Sequence, residues 1–227
     1  MKIIKLALVV VFTAIMGVQA QDKKVEFGLM AGYGHTMPRV KDSRSDIDKQ
    51  VPHNINQDNL NGFHAGPVVK FNLSEQMGFQ TGLLYNYFGG TLNNEEALRK
   101  ATGTWKQYKT VYSAIDLPLR LVYSMTLAEE LNVFLFAGPN LNYSLSKTTS
   151  TEYYVANDFS RADQEPNIYE SSGNFNALDL QMGAGLGVKY YGISIRAGYD
   201  WGILNRTTLD DLALRSNDIK VSLAYTF

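Results

Sequence analysis

Segment 178–202 alternates with a strict period of two. Leu178, Leu180, Met182, Ala184, Leu186, Val188 and Tyr190 share one face, and Asp179, Gln181, Gly183, Gly185, Gly187 and Lys189 share the other. Past Tyr191-Gly192, Ile193, Ile195, Ala197, Tyr199 and Trp201 stand against Ser194, Arg196, Gly198, Asp200 and Gly202. That period rules out a helix and dictates two long β-strands, each apolar on one face and polar on the other. A turn at Tyr191-Gly192 pairs Tyr190 with Ile193, which sets Arg196 opposite Gly187, Gly198 opposite Gly185 and Asp200 opposite Gly183. Large charged groups then face residues without side chains, as a narrow interior requires and an open surface does not.

The same period predicts strands at 25–34, 63–73, 77–88, 108–123, 132–145 and 218–227, which makes eight with the hairpin. Along 132–145 the early half is ambiguous, because Phe134 and Phe136 share the face of Asn140 and Asn142. Long polar connections (35–60, 89–106, 146–175 and 206–217) alternate with short ones (74–76, 124–131 and 191–192). This alternation marks transmembrane barrels, where short turns and long loops lie at opposite ends. The expected fold is all-β, a closed antiparallel eight-stranded up-and-down transmembrane β-barrel. Closure is a physical necessity, because an open edge in lipid leaves backbone groups unpaired. About ten residues per strand, at ~3.3 Å each and tilted near 45°, span a band of roughly 25 Å. Pro67, Pro118 and Pro139 fall inside these strands, where each removes a ladder donor and calls for a bulge or a strand end. Residues 94–100 have the composition of a helical turn or two.

Ahead of the strands, Lys2 and Lys5 precede an apolar run over 6–18, and Val18-Gln19-Ala20 supplies a small-residue cleavage site. The expectation is a signal peptide at 1–20 and one barrel domain at 21–227. The apolar run is shorter than the ~20 residues a helical span needs. Without Lys2 and Lys5 the formal charge goes from −1 to −3, too weak to imply a nucleic-acid partner. The chain has no cysteine, so no disulfide framework holds it. Aromatic residues gather toward strand ends (Phe63, Phe71, Tyr85, Tyr87, Tyr123, Tyr143, Tyr190, Tyr199, Trp201, Tyr225 and Phe227), as girdles at two bilayer interfaces do.

The polar face supplies the candidate site: a lumen network of Glu26, Lys70, Asp116, Arg120, Asp179, Lys189, Arg196, Asp200 and Lys220. Asp116 and Arg120 share a face, as do Arg196 and Asp200. Eight strands leave no room for a porin-like channel, so these groups are expected to pair across the barrel as a plug. Catalytic, cofactor-binding and metal sites are not expected. His64 is the one histidine on a strand, but no nucleophile motif accompanies it. His35 and His53 lack metal-ligand spacing. Asp42, Asp46 and Asp48 lack the glycine and terminal Glu of a Ca²⁺ loop. Gly183-x-Gly185-x-Gly187 lies within a strand and precedes no helix, unlike a nucleotide loop.

Four short segments carry a resemblance: Ile115-Asp116-Leu117-Pro118-Leu119, Phe136-Ala137-Gly138-Pro139, Gly183-Ala184-Gly185-Leu186-Gly187 and Tyr199-Asp200-Trp201-Gly202-Ile203-Leu204-Asn205. Together with the Leu223, Tyr225, Phe227 ending, they resemble the PorT-type outer-membrane β-barrel family of Bacteroidetes, akin to small OmpA- and OmpX-like barrels. The family has Glu where Asp116 stands. The resemblance implies fold and outer-membrane location more than activity; the leading expectation is a non-enzymatic protein, monomeric and surrounded by outer-membrane lipid. Extracellular partners would meet it through loops 35–60 and 146–175. Two alternatives stay open: a soluble secreted or periplasmic barrel holding a small hydrophobic ligand, and a barrel-borne lipid hydrolase built on His64.

Overall fold

A computed structural model describes residues 24–42, 59–92, 103–171, 173–209 and 212–227. The expected signal peptide and the helical turn expected at 94–100 lie outside the described residues. Ten strands follow in order: β1 (Val25–Asp42), β2 (Leu60–Asn72), β3 (Met77–Gly82), β4 (Leu84–Leu92), β5 (Trp105–Ala128), β6 (Leu131–Val155), β7 (Asp158–Gln164), β8 (Leu178–Tyr190), β9 (Ile193–Gly202) and β10 (Leu212–Thr226). Every pairing is antiparallel. The ring runs β1, β2, β3 with β4, β5, β6, β8, β9, β10, and β10 returns to β1 over a register from Gly28↔Thr226 to Asp42↔Leu212. Because β3 and β4 occupy one place in it, the ring has eight strands.

The β8–β9 register is the one the alternation sets: Tyr190↔Ile193, Gly187↔Arg196, Gly185↔Gly198 and Gly183↔Asp200. What the glycines make room for differs from the sequence expectation. A Cβ on Gly183 would strike the Asp200 carboxylate and sit 2.6 Å from Arg120 Nη1, but at Gly185 and Gly187 it would strike the Phe136 and Phe134 rings. The ambiguous half of β6 therefore turns both rings inward (8 % exposed each), and the glycines of the facing hairpin accommodate them.

The faces are reversed relative to a soluble barrel. Leu178, Met182, Leu186, Val188, Tyr190, Ile193, Ile195 and Trp201 point outward at 43–60 % exposure, whereas Asp116 and Asp179 are at most 1 % exposed. An apolar exterior around a charged interior is stable only with lipid outside, which overturns the soluble ligand-binding alternative. On β6 the outward row from Val133 to Tyr143 spans about 25 Å at the usual rise and tilt.

The prolines are accommodated without bulges. The pairs Val68↔Gly82 and Ala65↔Tyr85 keep one register across a gap at Leu83, and Pro67 and Pro118 flank that gap on the neighbouring strands. Pro67 retains a role as acceptor, its carbonyl receiving the Leu83 N–H at 3.0 Å. The β5–β6 ladder likewise stops at Pro118↔Asn140 and resumes in the same register at Leu121↔Ala137. Within that gap Arg120 donates to the Gly138 carbonyl. The missing donors thus fall where the ladder is interrupted.

The 146–175 connection, expected to be a polar loop, differs from that expectation. Most of it is sheet. Strands β5 and β6 continue well past the apolar band, paired as far as Trp105↔Tyr154. The turn Ala156-Asn157 has both residues left-handed (φ 53° and 67°), the pattern of a tight type I′ hairpin, and returns the chain as β7 on the edge of β6. One helical turn, Ile168–Ser171, then leads back to β8. Strands β1 and β10 also exceed their expected lengths at this end.

Candidate functional site

Parity delivers the charged residues to the lumen, and the lumen sorts them into groups at different heights. At the short-turn end Glu26 of β1 pairs with Lys189 of β8 (2.6 Å), lies 3.8 Å from Lys70 on β2, and accepts a hydrogen bond from Asn72 (2.8 Å). Further in, Arg196 donates to Gln80 Oε1 (2.6 Å), and its guanidinium carbon stacks 4.0 Å above the Phe136 ring centroid. A planar cation over an aromatic face fills the width of the barrel with contacts that need no carboxylate.

The central group spans opposite walls. Arg120 of β5 pairs with Asp200 of β9, and Lys220 of β10 lies 2.5 Å from Asp116 of β5. Lys220 is also 3.7 Å from Asp200 and 3.8 Å from Asp218. Neutral amides add hydrogen bonds: Asn142 donates to Asp116 Oδ1 (2.7 Å), Gln181 to Asp218 Oδ2 (2.9 Å) and Asn140 to Gln181 (2.9 Å), while Asp218 Oδ1 has no hydrogen-bond partner among the described residues. Two bases, Arg120 and Lys220, therefore serve three carboxylates, Asp116, Asp200 and Asp218. Charges removed from water persist only when paired and hydrogen-bonded in this way. A cavity of about 50 Å³ lies among these groups, enough for a few waters and far short of a conduit.

Toward the long-loop end, Arg206 donates to Ser144 Oγ (2.5 Å) and to the Tyr169 hydroxyl. The Tyr112 hydroxyl beneath it donates to Asn142 Oδ1 (2.9 Å). Asp179 is fully buried nearby, and neither carboxylate oxygen has a hydrogen-bond partner among the described residues. The nine expected residues are thus all in the lumen but not in one network. Glu26, Lys70 and Lys189 form one group; Asp116, Arg120, Asp200 and Lys220 form another; Arg196 goes to Gln80; Asp179 joins none.

Sequence reading missed Asp218, Gln80, Gln181 and Arg206. Asp218 shares the parity of Lys220, so the signal was there. Arg206 lies outside the strands, where parity says nothing. His64 is 1 % exposed, with Nε2 2.8 Å from Ser222 Oγ. It is sealed away from any lipid ester. Among the described residues no His or acidic cluster has a metal-holding arrangement.

A polar, paired interior inside an apolar shell sets the context for the comparisons. The model of the outer membrane protein beta-barrel domain matches residues 19–207. The chain belongs to that family. No curated protein matches it significantly. Among solved structures, this outer-membrane barrel is similar to Ail, the attachment invasion locus protein of Yersinia pestis, in complex with the heparin analogue sucrose octasulfate. Identity there is 15 % and the TM-score 0.41, over 90 % of this chain and 99 % of that one. It is also similar to Neisserial surface protein A (11 %, TM-score 0.38, 88 % and 97 % covered) and to a major outer membrane protein of Thermus thermophilus (11 %, 0.40, 89 % and 99 %).

Proposed function

We propose that this outer-membrane barrel is a sealed, non-enzymatic scaffold of PorT type from a Bacteroidetes-like Gram-negative cell, presenting its long-loop end outside. The signal peptide at 1–20 exports it, and it works as a monomer in lipid. The short turns face the periplasm, as in other barrels of this kind. The β5–β6–β7 hairpin, with the connections at 35–60 and 146–175, is the surface offered to an extracellular partner. The observation that carries this reading is the pairing of opposite walls, Arg120 with Asp200 and Lys220 with Asp116. A lumen crossed by fixed ion pairs stabilises a closed interior and leaves no path for solutes.

The His64 hydrolase alternative lacks an accessible nucleophile, and no observation favours it. The test is conductance. Purified protein inserted into a planar bilayer is expected to give no steady current steps, whereas Arg120→Ala combined with Lys220→Ala introduces leak. Stable open-channel current from the unaltered chain would refute the sealed-scaffold reading.

A further inference from the structure

The outer surface at the long-loop end carries a charge arrangement that the sealed lumen does not use. Arg39 and Arg215 are direct cross-strand partners in the β1–β10 ladder, and both are exposed. Their parity is that of Leu29, Tyr33, Leu223 and Val221, so they stand on the outward, lipid-facing side. Lys41, also exposed, follows two residues along β1. Like charges placed directly opposite on a ladder destabilise it unless something neutralises them. Among the described residues neither guanidinium has an acidic partner. By contrast Lys109, another exposed base at this end, has Glu152 at 2.7 Å.

Height narrows the choice of neutralising group. The last large apolar pair on this face is Tyr33↔Val221, and His35↔Ile219 and Met37↔Asn217 follow before Arg39↔Arg215. Asn217 donates to the Tyr199 hydroxyl (2.8 Å), and the Tyr199 ring packs 4.8 Å from Trp201, centroid to centroid. Aromatic residues in such a position mark the edge of the hydrocarbon. Four residues beyond Ile219 on a tilted strand is a rise of roughly 9 Å, which is headgroup depth. Planar guanidiniums suit bidentate recognition of phosphate.

We propose that Arg39 and Arg215 form a clamp for the anionic phosphate group of an outer-leaflet lipid, with Lys41 extending it away from the membrane. This rests on the orientation given above, with the long-loop end outside. The clamp orients the barrel and fixes its depth by holding one lipid at the β1–β10 seam.

Trp201 provides the probe. In a Trp105→Phe background it is the single tryptophan, so quenching by bromine on acyl chains reports which lipid lies beside it. The protein is refolded into phosphatidylcholine vesicles containing a minor share of phosphatidic acid, with bromine on one lipid or the other. Brominated phosphatidic acid is expected to quench with an apparent preference of about tenfold over its bulk share, from two cations near an anionic group. Arg39→Gln with Arg215→Gln abolishes that preference, and soluble inorganic phosphate leaves it in place. Equal quenching by the two lipids, or a preference unchanged in the double variant, overturns the clamp. The first of these results is what neutralisation by loop acids such as Asp46 and Asp48 would give. Displacement by inorganic phosphate overturns the lipid source. Absence of quenching by either lipid removes Trp201 from the bilayer and refutes the membrane seat together with the clamp.

Discussion

Lys220 has three carboxylates within 4 Å, Asp116, Asp200 and Asp218, and it is the only base near Asp218 among the described residues. Replacing it with Met leaves three buried carboxylates to a single remaining partner, Arg120. Breaking a buried pair from one side typically costs about 3–5 kcal/mol, and urea unfolding from lipid vesicles should show a loss of that order. Lys220→Met combined with Asp116→Asn should recover part of it, since the second change removes the charge that was stranded. The glycines make a complementary prediction. At Gly185 a Cβ meets the Phe136 ring and the Ala197 carbonyl and lies 2.7 Å from Gly198 Cα, so both a side chain and backbone would have to move. Gly185→Val is expected to destabilise by about 1–3 kcal/mol. Adding Phe136→Leu should relieve only the part due to the ring, with unfolding midpoints as the measure.

The β5–β6–β7 hairpin obeys different physics from the barrel below it. Beyond the apolar band the outer face of the sheet no longer meets lipid and the inner face buries polar residues such as Thr149 and Thr151, so the selection that writes apolar and polar residues alternately disappears. Residues 146–151 read Ser-Lys-Thr-Thr-Ser-Thr, which resembles a loop because nothing tells one face from the other. The barrel proper was legible for the opposite reason: lipid outside and paired charge inside impose opposite demands on successive residues. Phe134 and Phe136 escaped because an aromatic residue suits either demand, and only their fit against Gly185, Gly187 and Gly198 assigns a face. The hairpin also contains a pH-sensitive group. Lys147 is 6 % exposed, and burial, reinforced by the Arg206 guanidinium, pushes its ammonium down from 10.5 to about 8. The folded chain therefore binds fewer protons than the unfolded chain between about pH 8 and 10.5, and stability gains from this group as pH rises through that window. Lys147→Met should lack this component, so the difference in unfolding midpoint between the two proteins should narrow as pH rises. Parallel curves would contradict it. Excising 158–163, which among the described residues pair only with β6, should leave barrel unfolding within about 0.5 kcal/mol of the parent.

At the scale of the whole molecule, one inversion explains the composition, the ring and the lumen together. Zero cysteines and a weak net charge left the stabilising forces unspecified; the closed ladder and the paired interior supply them. The β8–β9 hairpin is where the inversion is most concentrated, and the absence of native cysteine makes it directly testable. Single cysteines placed at 193–201 of β9 and spin-labelled in vesicles report lipid or water at every residue. At Ile193, Ile195, Ala197 and Tyr199, labels should collide with oxygen dissolved in the bilayer and stay shielded from a water-soluble relaxant. At Ser194, Arg196 and Gly198 the cysteines should resist labelling in the folded barrel and react once it is unfolded. The opposite phase, with Arg196 and Gly198 positions facing oxygen and Ile195 shielded, would contradict a barrel with its apolar face in lipid.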